Sequence, residues 1–151
     1  MPKIDAVNEV IIDASPMVVY KALLNEVAGV THWWMPYMAF KIRGDIPIDH
    51  EGATYDAIIS PTSRMNAKFS AKMAKLVEGK LIEEEVAGDF VGTASWTFEP
   101  KDGKTKVQFR FNARTNNPLM SLFSPFVNFE KRHSDVTQKG FKALNSYLSK
   151  K

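Results

Sequence analysis

Three histidines, His32, His50 and His133, and the consecutive carboxylates Glu83, Glu84 and Glu85 are the side chains of this 151-residue sequence best suited to moving protons near neutral pH. The histidines stand at no helical or hairpin spacing that would gather a metal ion, so no metal site is expected. The chain has no cysteine, which removes disulfides, thiolate ligands and cysteine nucleophiles together and fits a reducing compartment. It contains no glycine-rich phosphate loop, no G-x-S-x-G elbow and no nucleotide fingerprint. No catalytic residue and no cofactor are therefore assigned. His133 lies between Phe129 and Val136 at helical spacing, on an apolar face. There it could offer a proton or a hydrogen bond to an enclosed ligand, and the plainer reading is a core histidine satisfied by a backbone carbonyl. Glu84 shares a strand face with Ile82 and Val86. If that face turns inward, its carboxylate sits among apolar groups, an expensive placement unless it is paired or used. If the other face turns inward, Glu83 and Glu85 inherit the problem. A strand at a sheet edge, wet on both faces, would remove it.

The elements that must position these groups are legible from periodicity. Phe126, Phe129, His133, Val136, Gly140, Leu144 and Tyr147 recur at steps of three or four, with Phe141 and Leu148 beside them. The spacing predicts one long helix opened by Ser124 as cap and Pro125 as first residue. From there to Ser149 it would reach roughly 37 Å, enough to cross a sheet of seven strands spaced about 4.8 Å apart. Ile4 to Ile12 reads as a first strand, and Ser15-Pro16 opens a short helix, Met17 to Leu24, with Val18, Val19, Ala22 and Leu23 as its inner side. The aromatic stretch Val30 to Tyr37 reads as a second short helix ended by Pro36. Of Trp33 and Trp34, one should pack inward and the other nearer the surface or a pocket mouth.

Strands follow at Tyr37–Arg43, Ala53–Ser60, Ala67–Val77, Lys80–Ala87, Thr93–Glu99 and Thr105–Ala113. The third of these slips its alternation at Lys75, which a bulge near Ala74 would explain. Gly88 and Gly92 mark a sharp bend or a close backbone approach. Six hairpin-linked strands make an antiparallel sheet whose apolar face carries Phe69, Met73, Trp96, Phe98, Phe109 and Phe111. The long helix is the element sized to cover it. The expected architecture is α+β: a curved antiparallel sheet of about seven strands wrapped around a long C-terminal helix, with two short helices between the first and second strands. Leu119, Met120, Leu122 and Phe123 read as a further short helix, over the cavity mouth or packed at the sheet end.

Hydrophobic residues at 44% and charged residues at 25% place the chain among soluble globular proteins, and its length suits a single domain, 1–151. The start lacks the apolar block of a secretion signal and no apolar run reaches bilayer length, so a cytoplasmic location without stable membrane insertion is expected. The net charge of +3 is concentrated after Glu130, where six basic residues (Lys131, Arg132, Lys139, Lys142, Lys150, Lys151) meet two acidic ones (Glu130, Asp135). A solvated polar helix face accounts for this better than attraction to the phosphate groups of nucleic acid or lipid does.

With the motifs in this order, the chain resembles the START-like or SRPBCC superfamily, the Bet v 1-like helix-grip proteins, in the polyketide cyclase/dehydrase-like branch. The resemblance rests on Ile12-Asp-Ala-Ser-Pro-Met-Val-Val-Tyr-Lys-Ala-Leu, on Trp33-Trp34-Met-Pro, on Gly88-Asp-Phe-Val-Gly-Thr-Ala-Ser-Trp-Thr-Phe-Glu-Pro, on the hairpin before Thr105-Lys-Val-Gln-Phe, and on the terminal helix. It spans nearly the full length. It implies a hydrophobic cavity between sheet and helix that takes a lipid, sterol or polyketide-like molecule. A minority of such proteins are cyclases or hydrolases, and some relatives are co-chaperones. The superfamily has no universal catalytic motif to carry over. The residues expected to line the cavity are Trp33, Phe69, Met73, Glu84, Trp96, Phe98, Phe109, Phe111, Phe126, Phe129 and His133.

Overall fold

The computed structural model describes residues 3–64, 66–123 and 128–150. Strand β1 (Lys3–Ile12) leads through helix α1 (Pro16–Val27) to β2 (Met38–Arg43), β3 (Thr54–Ile59), β4 (Ala67–Val77), β5 (Leu81–Gly88), β6 (Phe90–Lys101) and β7 (Lys104–Thr115). Helix α2 (Pro118–Phe123) and the long helix α3 (Phe129–Ser149) complete the order. The strands form one sheet in the order β1-β7-β6-β5-β4-β3-β2, every neighbouring pair antiparallel. Strands β2 to β7 form a meander because each turn is short enough to fold the chain straight back, and β1 closes onto β7. This is the α+β helix-grip arrangement that the strand and helix periodicities dictate.

Alternation sets the two faces. On β6 and β7, Ala94, Trp96, Phe98, Val107, Phe109 and Phe111 are buried, while the residues between them face outward. The register of β4 against β5 shifts between Met73 and Lys75, the bulge expected near Ala74. Gly88 lies at φ +115° beside the backbone of Lys68 and Phe69, and a Cβ on Gly92 would overlap the backbone of Asn112 and Ala113. These two glycines let β5 and β6 approach their neighbours where the chain bends.

One of the two short helices expected between β1 and β2 forms. Ser15 caps α1 through a bond from the Val18 amide, Pro16 is its first residue, and Ala28 and Gly29 end it. Its inner side includes Val19, Leu23 and Val27, but Val18 is 47% exposed. The face is turned because Tyr20 meets Phe98 edge-on and Glu26 points inward. The stretch Val30 to Tyr37 is a series of turns rather than a helix. The fully buried Glu26 carboxylate takes the Thr31 hydroxyl and the Trp33 and Trp34 amides, so those amides are spent on a side chain instead of a helical ladder.

Helix α3 opens at Asn128, whose side chain accepts from the Lys131 amide. Ser124 and Pro125, the expected start, lie outside the described residues. Its buried stripe runs His133, Thr137, Gly140, Phe141 and Leu144, with Phe129, Val136 and Tyr147 half-buried alongside. A polar clamp fixes the helix over β1. Asn8 donates to Ser134 Oγ and accepts from Gln138, and Asn145 accepts from the Asp13 amide and donates to the Ile11 carbonyl. Among the described residues no helix is long and apolar enough to cross a membrane.

Candidate functional site

Between α3 and the sheet lie two adjoining spaces. The inner one, about 30 Å3, is bounded by Trp34, Tyr55, Glu84, Trp96, Phe111 and His133, with Phe69 and Phe109 in its wall. The outer one, about 240 Å3, has Ile4, Phe90, Phe129 and Val136 among its apolar lining and the exposed Arg64 and Arg132 in its wall. Ile59, His133 and Val136 border both. The inner space has room for a water molecule or two, and the outer for a small organic molecule.

Trp34, not Trp33, is the tryptophan that reaches the core. It is 2% exposed and donates from Nε1 to the Val136 carbonyl at 3.0 Å. A Cβ on Gly140 would overlap its indole, so the absence of a side chain there is what seats it on α3. Trp33 lies outside both spaces, stacked on Trp34 at 5.6 Å with 8° between the rings.

Glu84 faces inward. Strand β5 has β4 and β6 on its two sides, so the edge-strand reading is overturned: Ile82, Glu84 and Val86 form the buried face. The Tyr55 hydroxyl donates to Glu84 Oε1 at 2.6 Å. Burial pushes the carboxyl up to about 7, and the Tyr55 bond offsets part of that rise. Burial, together with the Glu84 charge, holds the Tyr55 phenol well above its ordinary value.

His133 projects from α3 onto the aromatic floor, its ring 4.4 Å from that of Phe111 with 15° between the planes. Its Nδ1 is sealed from solvent without a hydrogen-bond partner among the described residues, so the backbone-satisfied reading does not hold for that atom. Burial alone lowers its pKa to about 4, leaving a neutral imidazole at pH 7.

Of the expected lining residues, the structure gathers Phe69, Glu84, Trp96, Phe109, Phe111 and His133 at the inner space and Phe129 at the outer. Met73 is buried opposite Glu84 and Phe98 is buried against Tyr20, both outside the two spaces. Phe126 lies outside the described residues. Sequence reasoning missed Tyr55, Arg64 and Phe90. Tyr55 carried a signal, because it alternates with Ala53 and Ala57 on an apolar strand face and its hydroxyl needs a partner. Arg64, in a polar turn, carried none. Among the described residues no group of three or more histidines and carboxylates could hold a metal ion.

No family model and no curated protein matches this sequence. Solved structures do match over almost the whole chain. A Thermus thermophilus protein, TTHA0849, aligns over 96% of this chain and 95% of its own, with TM-score 0.73 and 15% identity. Ara h 8.0201 aligns over 99% and 100%, with TM-score 0.68 and 15% identity. StfQ, a di-domain ARO/CYC from the steffimycin biosynthetic pathway, aligns over 98% of this chain and 51% of its own, with TM-score 0.70 and 12% identity. At these identities the likeness is one of fold, and the chain has the START-like, Bet v 1-like helix-grip fold.

Proposed function

We propose that this chain is a binding protein that encloses a small hydrophobic molecule in the space between the sheet and the start of α3. The observation that carries this reading is the outer cavity of about 240 Å3, walled by Ile4, Phe90, Phe129 and Val136 and continuous with the outside. A dry cavity of about 150 Å3 holds one benzene, and pockets for drug-sized ligands run from about 300 Å3. A molecule of one or two rings, or a short acyl chain, suits the space better than a sterol. Affinity comes from apolar burial, on the order of 25 cal/mol per Å2.

An enzymatic reading has one observation in its favour. Glu84, Tyr55 and His133 converge on the inner space, where a neutral imidazole faces a carboxyl that titrates near neutrality. Acid–base chemistry of the cyclase or dehydratase type needs such a pair. Yet these groups meet where only water fits, and the roomy cavity has no carboxylate among the described residues of its wall. Binding therefore ranks first.

Native mass spectrometry of protein purified from its own host tests this. The expected result is a retained small molecule that is released on denaturation and is absent from Val136→Phe, whose ring fills the cavity. A bare mass, together with unmoved methyl resonances of Ile4 and Val136 on adding naphthalene, overturns it.

A further inference from the structure

The outer cavity carries a charge pattern that apolar burial leaves unused. Arg64 and Arg132 line it, and among the described residues no acidic one does. Arg64 comes from the turn between β3 and β4, and Arg132 from the first turn of α3, so one cation comes from the sheet side and one from the helix. Both are exposed, and neither joins an ion pair among the described residues, where Arg43, Lys106 and Arg110 each have a carboxylate. The amides beside them are already engaged. Asn66 donates to the Ser63 carbonyl, and Asn117 donates to Asp89 and accepts from the Leu119 amide. The two guanidinium groups are thus the cationic donors in this wall, and among the described residues neither has a carboxylate partner.

Resting on the binding reading above, we propose that the ligand is an amphipathic acid: an apolar body seated between Phe90, Phe129 and Val136, with its carboxylate held at the mouth by Arg64 and Arg132. A guanidinium matches a carboxylate with two parallel N–H donors. A neutral ligand would crowd the same cations without pairing them. The far end of the cavity supports this orientation, because His133 is uncharged at neutral pH and gives a buried carboxylate no counter-charge.

Calorimetric titration with cinnamate, cinnamyl alcohol and cinnamylamine tests the proposal, since the three share one skeleton and differ in charge. Cinnamate is expected to bind about tenfold tighter than the alcohol at low salt, the amine weakest, with the gap narrowing as salt is raised. Arg64→Gln and Arg132→Gln are each expected to weaken cinnamate binding about threefold or more and to leave the alcohol unchanged. If the alcohol binds as tightly as cinnamate, or if the double variant keeps the preference for the acid, the anion site falls while the cavity reading stands. If none of the three binds, the cavity reading falls and takes this inference with it.

Discussion

Glu84 and His133 pull stability in opposite directions as pH changes. The Glu84 carboxyl is raised from 4.5 to about 7, so the unfolded chain holds fewer protons than the folded one in that window and stability falls as pH rises through it. His133 is lowered from 6.5 to about 4, so the unfolded chain holds more, and stability falls as pH drops from 6.5 to 4. Each effect amounts to about 3 kcal/mol at most, and between pH 4.5 and 6.5 they nearly cancel. Glu84→Gln keeps an acceptor for the Tyr55 hydroxyl and removes the first effect. Urea unfolding at a series of pH values should then show this variant gaining stability up to pH 6.5, and exceeding the parent by about 2 kcal/mol at pH 8. His133→Phe should keep the stacking on Phe111, lose the unpartnered nitrogen, and leave a protein whose stability declines steadily from pH 4.5 to 7. Neither behaviour could be read in the sequence. Alternation puts Glu84 with Ile82 and Val86, but only strand order tells a central strand from an edge, and strand order is a property of the folded sheet.

Where an element's own pattern decides its placement, the sequence was legible. Period-two alternation on β6 and β7 marks their buried faces without reference to anything else, and the slip at Lys75 locates the bulge because one extra residue must reverse the faces. Where a distant group decides, it was not. Val30 to Tyr37 has the composition of a helix, but the Glu26 carboxylate takes its amides. The described part of α3 is capped locally, by Asn128 accepting from the Lys131 amide, while Ser124-Pro125 lies outside the described residues. Gly140 belongs with Val30 to Tyr37, since its role is set by Trp34, far away in the chain. Gly140→Ala should gain about 1 kcal/mol of helix propensity and lose more to the overlap with the indole, for a net loss of about 2 kcal/mol. The midpoint of urea unfolding, followed by far-ultraviolet circular dichroism, checks this.

For the molecule as a whole, the fold could be inferred from element order, whereas the cavity could not. Its volume depends on how far α3 stands off the sheet and on where the turn carrying Arg64 ends, and neither distance leaves a trace in periodicity. Binding and folding are coupled through that space. A ligand at a hundredfold excess over its Kd stabilises the folded state by about 2.7 kcal/mol, so cinnamate should raise the unfolding midpoint in scanning calorimetry by roughly 5 to 10 °C. Val136→Phe should abolish the shift. The placement of the indoles has a consequence of its own. All three tryptophans of the chain sit in one contact series, Trp33 on Trp34 at 5.6 Å and Trp34 against Trp96 at 6.1 Å, and two of them wall the inner space. The protein's ultraviolet emission therefore arises from a single locus. An occupant arriving beside it would be announced by a change in brightness or wavelength with no dye attached.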